Sequence, residues 1–155
     1  MENQNIKLAR PEEYEIIGNF SHKLESELWP EISVALHLSH FNNTAKKLLT
    51  DKDRFWAYIA YLDTQAIGMI CINECAAIYA GGYFGEITDF YIIPEHRNKG
   101  IGKLLLDKAI ELANLKEWTI IEVGSPDAHK SPGATNFYLK HGFINIGPRL
   151  EMELE

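Results

Sequence analysis

A stretch of glycines and cations in the second half of the chain has the composition of an anion-binding loop. It reads IIPEHRNKGIGK over residues 92–103. Glycine lets a backbone approach a ligand closely, and the first N–H groups of a helix lack partners inside the helix and lie at the positive end of its dipole. Arg97, Lys99 and Lys103 add three cations, and no acidic residue lies between residues 97 and 103. The stretch therefore predicts a site for an anion, and phosphate is the natural ligand.

Two common phosphate-binding loops are eliminated by the spacing. A P-loop has four residues between its first glycine and the Gly-Lys pair, followed by Ser or Thr, whereas one residue separates Gly100 from Gly102 and Leu104 follows Lys103. The dinucleotide fingerprint has a small residue three positions after its second glycine, where Leu105 stands. The remaining pattern is Arg-x-x-Gly-x-Gly, placed after a strand that ends in proline.

The predicted elements on either side would hold this loop between a strand and a helix. Residues 84–93 read as a strand that ends at Pro94, and an apolar stripe of about three turns runs from Ile101 to Ala113. Strands are also predicted at residues 6–8, 55–62, 66–72, 119–123, 143–146 and 149–154, and helices at residues 11–29, from residue 31 to 38, and at 134–141. The order βααβββαβαββ predicts an α/β fold with a mixed sheet, formed as one domain over residues 1–155.

Composition narrows the class of protein. The chain has 155 residues, 46% of them hydrophobic and 24% charged, which is typical of one soluble globular domain. Its net charge of −7 argues against a nucleic-acid partner, because such proteins usually carry a basic face. No uncharged run approaches the roughly 20 residues that cross a bilayer, so we expect a cytoplasmic protein without a membrane partner.

The two cysteines are expected to be free thiols. If Cys71 and Cys75 lie on one strand, their Cα atoms are about 13 Å apart at roughly 3.3 Å per residue, too far for a disulfide. His37 and His40 have helical spacing but lack an evident third ligand, so no metal site is predicted.

Several blocks together resemble the GNAT superfamily of acetyl-CoA-dependent N-acetyltransferases. The Arg-x-x-Gly-x-Gly loop is followed, after a helix and a strand, by ATNFYLKHGF at residues 134–143, and blocks in family order cover about residues 55–146. The resemblance implies a single-domain α/β fold whose mixed, mostly antiparallel sheet is splayed between the fourth and fifth strands and flanked by helices. It also implies acetyl-CoA as cosubstrate, an amine as second substrate, no metal and a possible homodimer.

The resemblance assigns the cofactor to two parts of the chain. The pantetheine arm would pair with exposed backbone at Phe90, Tyr91 and Ile92, as an added strand does. The pyrophosphate would lie on the loop residues Arg97, Asn98, Lys99, Gly100, Ile101, Gly102 and Lys103. Ser131, seven residues before Tyr138 where many members carry Asn, and Asn136 are further candidate cofactor contacts.

The resemblance also supplies candidates for proton transfer. Tyr138 stands where many relatives carry the tyrosine that protonates the departing thiolate of CoA. A primary amine with a pKa of about 10.4 is neutral in only about one molecule in 10³ at pH 7, so a base is needed. Glu86, Asp89 and Glu122 match acids of different branches, with Glu86 slightly favoured. Strand alternation places Glu86 and Asp89 on opposite faces unless a bulge lies between them.

The acceptor is left open by the sequence. The acidic balance suggests a cationic amine such as a polyamine, an aminoglycoside-like amine or a Lys side chain. Trp29, Phe41 and Trp56 either line its pocket or belong to the core. A non-catalytic acetyl-CoA-binding sensor and an acyltransferase with a longer acyl-CoA remain alternative functions.

Overall fold

Five strands lie side by side in the order in which they occur in the sequence. The structure, a computed structural model, describes residues 3–154 and divides into a first unit that ends at Val123 and a second that begins at Gly124. The first unit contains β1 (Gln4–Leu8), α1 (Tyr14–Leu28), α2 (Leu38–Leu48), β2 (Phe55–Leu62), β3 (Gln65–Ala77), β4 (Gly82–Ile92), α3 (Ile101–Leu115) and β5 (Ile121–Val123). The second unit contains α4 (Pro132–Lys140). The organisation of residues 1–155 as one domain stays a prediction.

The sheet is mixed and mostly antiparallel, as the sequence predicts. Strands β1 to β4 pair antiparallel with their neighbours, and β5 alone pairs in parallel, with β4. Positive φ angles of 53° at Asp63 and 75° at Gly81 form the two hairpin turns, a backbone geometry typical of tight connections between twisted strands. The helix between β4 and β5 provides the crossover that a parallel pair requires.

The helices cover both faces of the sheet. Alternate strand residues pack against α1 and α2 on one face, in a buried cluster that includes Ile17, Phe20, Ala57, Ile59, Met69, Cys71 and Tyr91. Helix α3 packs on β2, β3 and β4. Lys116, just after this helix, lies 4.8 Å from the ring centroid of Trp56. The neighbours of Trp56 in the strand belong to the first face, so Trp56 and the end of α3 lie on the opposite face. The sequence prediction of a sheet flanked by helices is therefore confirmed.

The second helix differs from its predicted position. The segment Pro30–Ala35 is a 3₁₀ turn, with the Ile32 N–H donating to the Trp29 carbonyl at 3.1 Å, and α2 begins only at Leu38. Its apolar side includes Phe41 and Ala45, four residues apart, which is helical spacing. The predicted helix at residues 31–38 is wrong; Ile32 stays 49% exposed and Leu38 43% exposed, so this segment buries little apolar surface.

The two predicted C-terminal strands are also absent from the described residues. Residues 143–146 and 149–154 alternate apolar and polar side chains, but no strand hydrogen bonds form there. Leu150 is 91% exposed and Met152 is 82% exposed. Alternation stabilises a strand only where a neighbouring strand supplies backbone partners and something covers the apolar side. Gly147, with a φ of 121°, and the donor-lacking Pro148 interrupt the segment as well.

The structure also bears on the state of the cysteines and on membrane-spanning helices. Cys71 and Cys75 are free thiols, as predicted. None of the helices within residues 3–154 is long and apolar enough to cross a bilayer.

A glycine sets the close approach of α1 to α2. A Cβ atom at Gly18 would lie 2.7 Å from the Cα of Asn42, closer than side chains tolerate. We expect Gly18→Ala to lower the free energy of unfolding by about 1–3 kcal/mol, because the helix backbones must move apart. Urea unfolding followed by circular dichroism measures this change. The exposed neighbour Asn19→Ala is the control and should change stability by no more than about 0.5 kcal/mol. Equal stability of the two variants would contradict the prediction.

Candidate functional site

The glycine-rich loop turns sharply just before α3. Pro94–His96 forms a 3₁₀ turn directly after β4. Asn98 has a φ of 61°, and Gly100, at the N-cap of α3, has a φ of 85° and a ψ of 0°. Both residues are in the left-handed region, which favours glycine and tolerates asparagine. These two conformations turn the loop into the first turn of the helix.

The loop leaves a run of backbone N–H groups open to a ligand. Within residues 3–154, the first N–H after Arg97 that reaches a protein carbonyl is that of Leu104, which donates to Gly100 at 3.3 Å. The N–H groups of residues 98–103 have no such partner in that part of the chain. No side chain caps the helix. This is the donor array that a phosphate group requires.

Two of the three loop cations have protein partners. One guanidinium nitrogen of Arg97 donates to both carboxylate oxygens of Glu27 at 3.0 Å, and its Nε donates to the Ile92 carbonyl at 2.7 Å. The guanidinium also lies 5.3 Å from the ring centroid of Tyr91. Lys103 donates to both oxygens of Asp107 at 3.0 Å. Lys99 is exposed.

The two ion pairs differ in whether the sequence predicts them. The Lys103–Asp107 pair has the i,i+4 spacing that predicts a contact on a helix. Glu27 precedes Arg97 by 70 residues, so no local signal connects the two. The Arg97–Glu27 contact ties the glycine-rich loop to α1 through one side chain.

Strand β4 continues beyond its last pair with β5. The three parallel pairs end at Ile87 and Val123, whereas β4 runs on to Ile92 beside β3. Residues 88–92 therefore form the part of β4 at which β5 no longer accompanies it. This stretch contains Phe90, Tyr91 and Ile92, where the sequence predicts a splay between the fourth and fifth strands.

The three candidate carboxylates lie on one face of the sheet, and a bulge at Thr88 is what brings Asp89 to the face of Glu86. Ile87 pairs with Ile72 and Asp89 with Cys71, so Thr88 is an extra residue on β4. Because of this shift, Asp89 and Glu86 both project to the face that α1 and α2 cover. Glu122 pairs in parallel with Glu86 and lies on that face too.

Asp89 is one of the side chains that line a pocket beside α1 and α2. Ser21 of α1 donates a 2.6 Å hydrogen bond to its Oδ2 atom. The pocket has a volume of about 190 Å³ and lies between α1, α2 and the strands, with Phe41, Phe55 and Cys71 among its walls. Burial, and secondarily the charge of Asp89, raises the pKa of the Cys71 thiol well above its ordinary value, so this wall is uncharged.

Glu122 has a different environment. Its Oε1 atom accepts a 2.6 Å hydrogen bond from the hydroxyl of Tyr79, in the exposed turn after β3. This bond raises the pKa of Tyr79. Sequence reasoning missed both Tyr79 and Ser21, because each reaches its carboxylate across a large separation in the chain.

The second unit places Tyr138 in an apolar setting. The side chain is 8% exposed and lies on α4, with the ring centroid of Phe143 5.4 Å from its own. Burial raises the pKa of Tyr138 to about 12, so the phenol keeps its proton at neutral pH. Ser131 is the N-cap residue of α4, and Asn136 is exposed on that helix.

The three aromatic residues that were candidates for the acceptor pocket lie in different environments. Phe41 lines the pocket beside Asp89. Trp56 packs edge-on against Trp118 with ring centroids 5.7 Å apart, and Trp29 is 44% exposed. Among the described residues, no group of three or more His, Cys, Asp or Glu side chains could hold a metal ion.

A model of the acetyltransferase (GNAT) family matches residues 16–143. Streptothricin acetyltransferase A of Bacillus subtilis is 35% identical over 88 residues, which cover 57% of this chain and 47% of that protein. The chain thus spans about half the length of this curated relative. Thialysine N-epsilon-acetyltransferase of Caenorhabditis elegans is 27% identical over 129 residues, 79% of this chain and 76% of that protein.

A solved structure shares the fold. The crystal structure of a predicted acetyltransferase with acetyl-CoA from Clostridium acetobutylicum has a TM-score of 0.76 and 18% identity. The match covers 97% of this chain and 96% of that one.

Proposed function

The chain belongs to the acetyltransferase (GNAT) family, and on that premise we propose that it transfers the acetyl group of acetyl-CoA directly to a primary amine. The observation that carries the proposal is the run of open N–H groups at residues 98–103, at the end of the strand that continues past its partner β5. The name of the Caenorhabditis elegans relative supports a nitrogen acceptor, and the names of both curated relatives support a small molecule.

The residues present fit the cofactor. The N–H groups of residues 98–103 would hold the pyrophosphate, because they combine unsatisfied donors with the positive end of α3. The edge of β4 at residues 88–92 would align the pantetheine arm through backbone hydrogen bonds. Arg97 would act mainly by holding the loop to α1, because its guanidinium is already bonded to Glu27 and Ile92.

Acetyl-CoA supplies an acetyl group activated as a thioester, and the chain supplies the proton transfers. We assign the general base to Asp89, because it lines the pocket beside the splayed stretch of β4. Its carboxylate would take the proton of the ammonium group, either directly or through water. Ser21 would orient the carboxylate through the bond to Oδ2. Glu86 and Glu122, which share this face, are the alternatives that variants must exclude.

Tyr138 is the proposed proton donor. Its raised pKa keeps the proton on Oη over the whole neutral range. Because the phenol is then a weaker acid than a thiol, the transfer of this proton to the thiolate has to be coupled to product release. The direct transfer needs no covalent enzyme intermediate, and no side-chain nucleophile is assigned.

The test is release of CoA thiol from acetyl-CoA over a panel of amines and lysine peptides, with cofactor affinity measured by calorimetry on the same protein. The proposal expects tight cofactor binding and amine-dependent release. Binding without release from any amine would instead support a non-catalytic sensor. Absence of binding would overturn the assignment of the loop, and preference for a longer acyl-CoA would correct the acyl group.

Gly100 offers a specific prediction for cofactor binding. Its φ of 85° is costly for a β-branched residue, by roughly 1–2 kcal/mol, so Gly100→Val should distort the loop and weaken acetyl-CoA binding by about tenfold. Gly100→Asn is the matched control, because Asn98 already adopts a φ of 61° in the same loop. We expect its affinity to stay within about threefold of wild type. If calorimetry finds both variants equal to wild type, this loop does not hold the cofactor.

A further inference from the structure

The pocket beside Asp89 has the size and lining to select the amine. Resting on the proposed function, we propose that the acceptor is a monoamine, a single primary ammonium group carried on a compact apolar body such as an aromatic ring. Polyamines and aminoglycoside-like amines, which the acidic composition suggests, would be poor substrates.

The pocket offers one place for one positive charge. Among its lining residues that the structure describes, Asp89 is the single acidic side chain. Glu86 and Glu122 lie on the same face of the sheet but do not line the pocket. His40 also lines the pocket, but an imidazole carries no negative charge there to pair with an ammonium group. A second ammonium group on the same ligand would thus leave water without gaining a partner, which is costly.

The remaining lining favours an apolar body. Phe41 and Phe55 form aromatic walls, and Ile17 and Leu48 add aliphatic surface. A volume of about 190 Å³ exceeds the roughly 150 Å³ of an apolar cavity that holds benzene, which leaves space for a short linker and the amine. A ring in this space would gain from burial of its apolar surface while its ammonium group meets Asp89.

The pocket opens along α2, where a substitution can close it without disturbing the core. Thr44 lines the pocket and is exposed, so Thr44→Trp adds bulk at the mouth. Asn43→Trp introduces the same side chain at the adjacent exposed position, which does not line the pocket. This pair separates occlusion of the pocket from the general effect of a surface tryptophan.

The experiment is an NMR titration of the full chain with 2-phenylethylamine and with spermidine, without acetyl-CoA, so that binding is observed independently of turnover. We expect 2-phenylethylamine to bind at least tenfold more tightly than spermidine and to shift the amide signals of Ser21, Thr44 and Asp89. Thr44→Trp should weaken its binding at least tenfold, and Asn43→Trp should leave it unchanged.

The inference is overturned if spermidine binds as tightly as 2-phenylethylamine, if Thr44→Trp binds like wild type, or if no signal around the pocket shifts. Failure of the proposed function looks different: the amine binds in the pocket, but no amine supports release of CoA from acetyl-CoA. Release of CoA with spermidine in preference to 2-phenylethylamine would leave the acetyltransferase standing and overturn the monoamine.

Discussion

Asp89→Asn is expected to lower kcat by about 10²–10⁴-fold at neutral pH, the range typical of a lost general base. The amide has nearly the shape of the carboxylate and its oxygen can still accept the hydrogen bond from Ser21, so the fold should remain intact. It can no longer take a proton from an ammonium group. Steady-state CoA release measures the change, and calorimetry should show acetyl-CoA affinity unchanged.

The pH profile separates this role from a structural one. Below a pKa near 10.4, the neutral fraction of an amine rises about tenfold for each unit by which the pH is raised. More of the amine then needs no base, so the loss of kcat in Asp89→Asn should become smaller as pH rises. Glu86→Gln and Glu122→Gln are the matched controls on the same face. A larger loss in Glu86→Gln than in Asp89→Asn would transfer the role of base to Glu86.

Tyr138→Phe is expected to reduce kcat by about 10²-fold while acetyl-CoA affinity is kept. The substitution removes only the hydroxyl, and the ring can keep its contact with Phe143. With a pKa of about 12, the wild-type phenol stays protonated, so its ionisation should not limit activity at pH 7–9. Unchanged kcat in this variant would remove Tyr138 from the mechanism.

The same substitution has a thermodynamic signature. The pKa of Tyr138 is about 12 in the folded chain and about 10 in an unfolded one. Below pH 10 both states keep the proton; above it the unfolded state loses the proton first, so stability falls as pH rises toward 12. Wild type should therefore lose roughly 1–3 kcal/mol more than Tyr138→Phe over this range, as urea unfolding by circular dichroism would measure. Tyr61, with a similarly raised pKa of about 12, contributes equally to both proteins.

Local sequence was enough to predict the elements that depend on near neighbours. The anion loop, α3 and the hairpins follow from spacings of a few residues: glycines before an apolar helical stripe, and turns between β-branched runs. The same reasoning failed at residues 143–154, because a strand needs a partner that alternation alone does not provide. It also placed the second helix too early: residues predicted to begin it lie in a 3₁₀ turn, and α2 begins only at Leu38.

In the candidate site, too, some features follow from local sequence and others from contacts between distant residues. Residue types and spacing were enough to predict the loop, and the family resemblance supplied the three candidate carboxylates. Which of these residues lie together depends on the fold: the Thr88 bulge turns Glu86 and Asp89 to one face, Ser21 donates to Asp89, and Glu27 pairs with Arg97. These contacts join residues up to 70 positions apart, and they depend on strand register and helix packing, which no local pattern encodes.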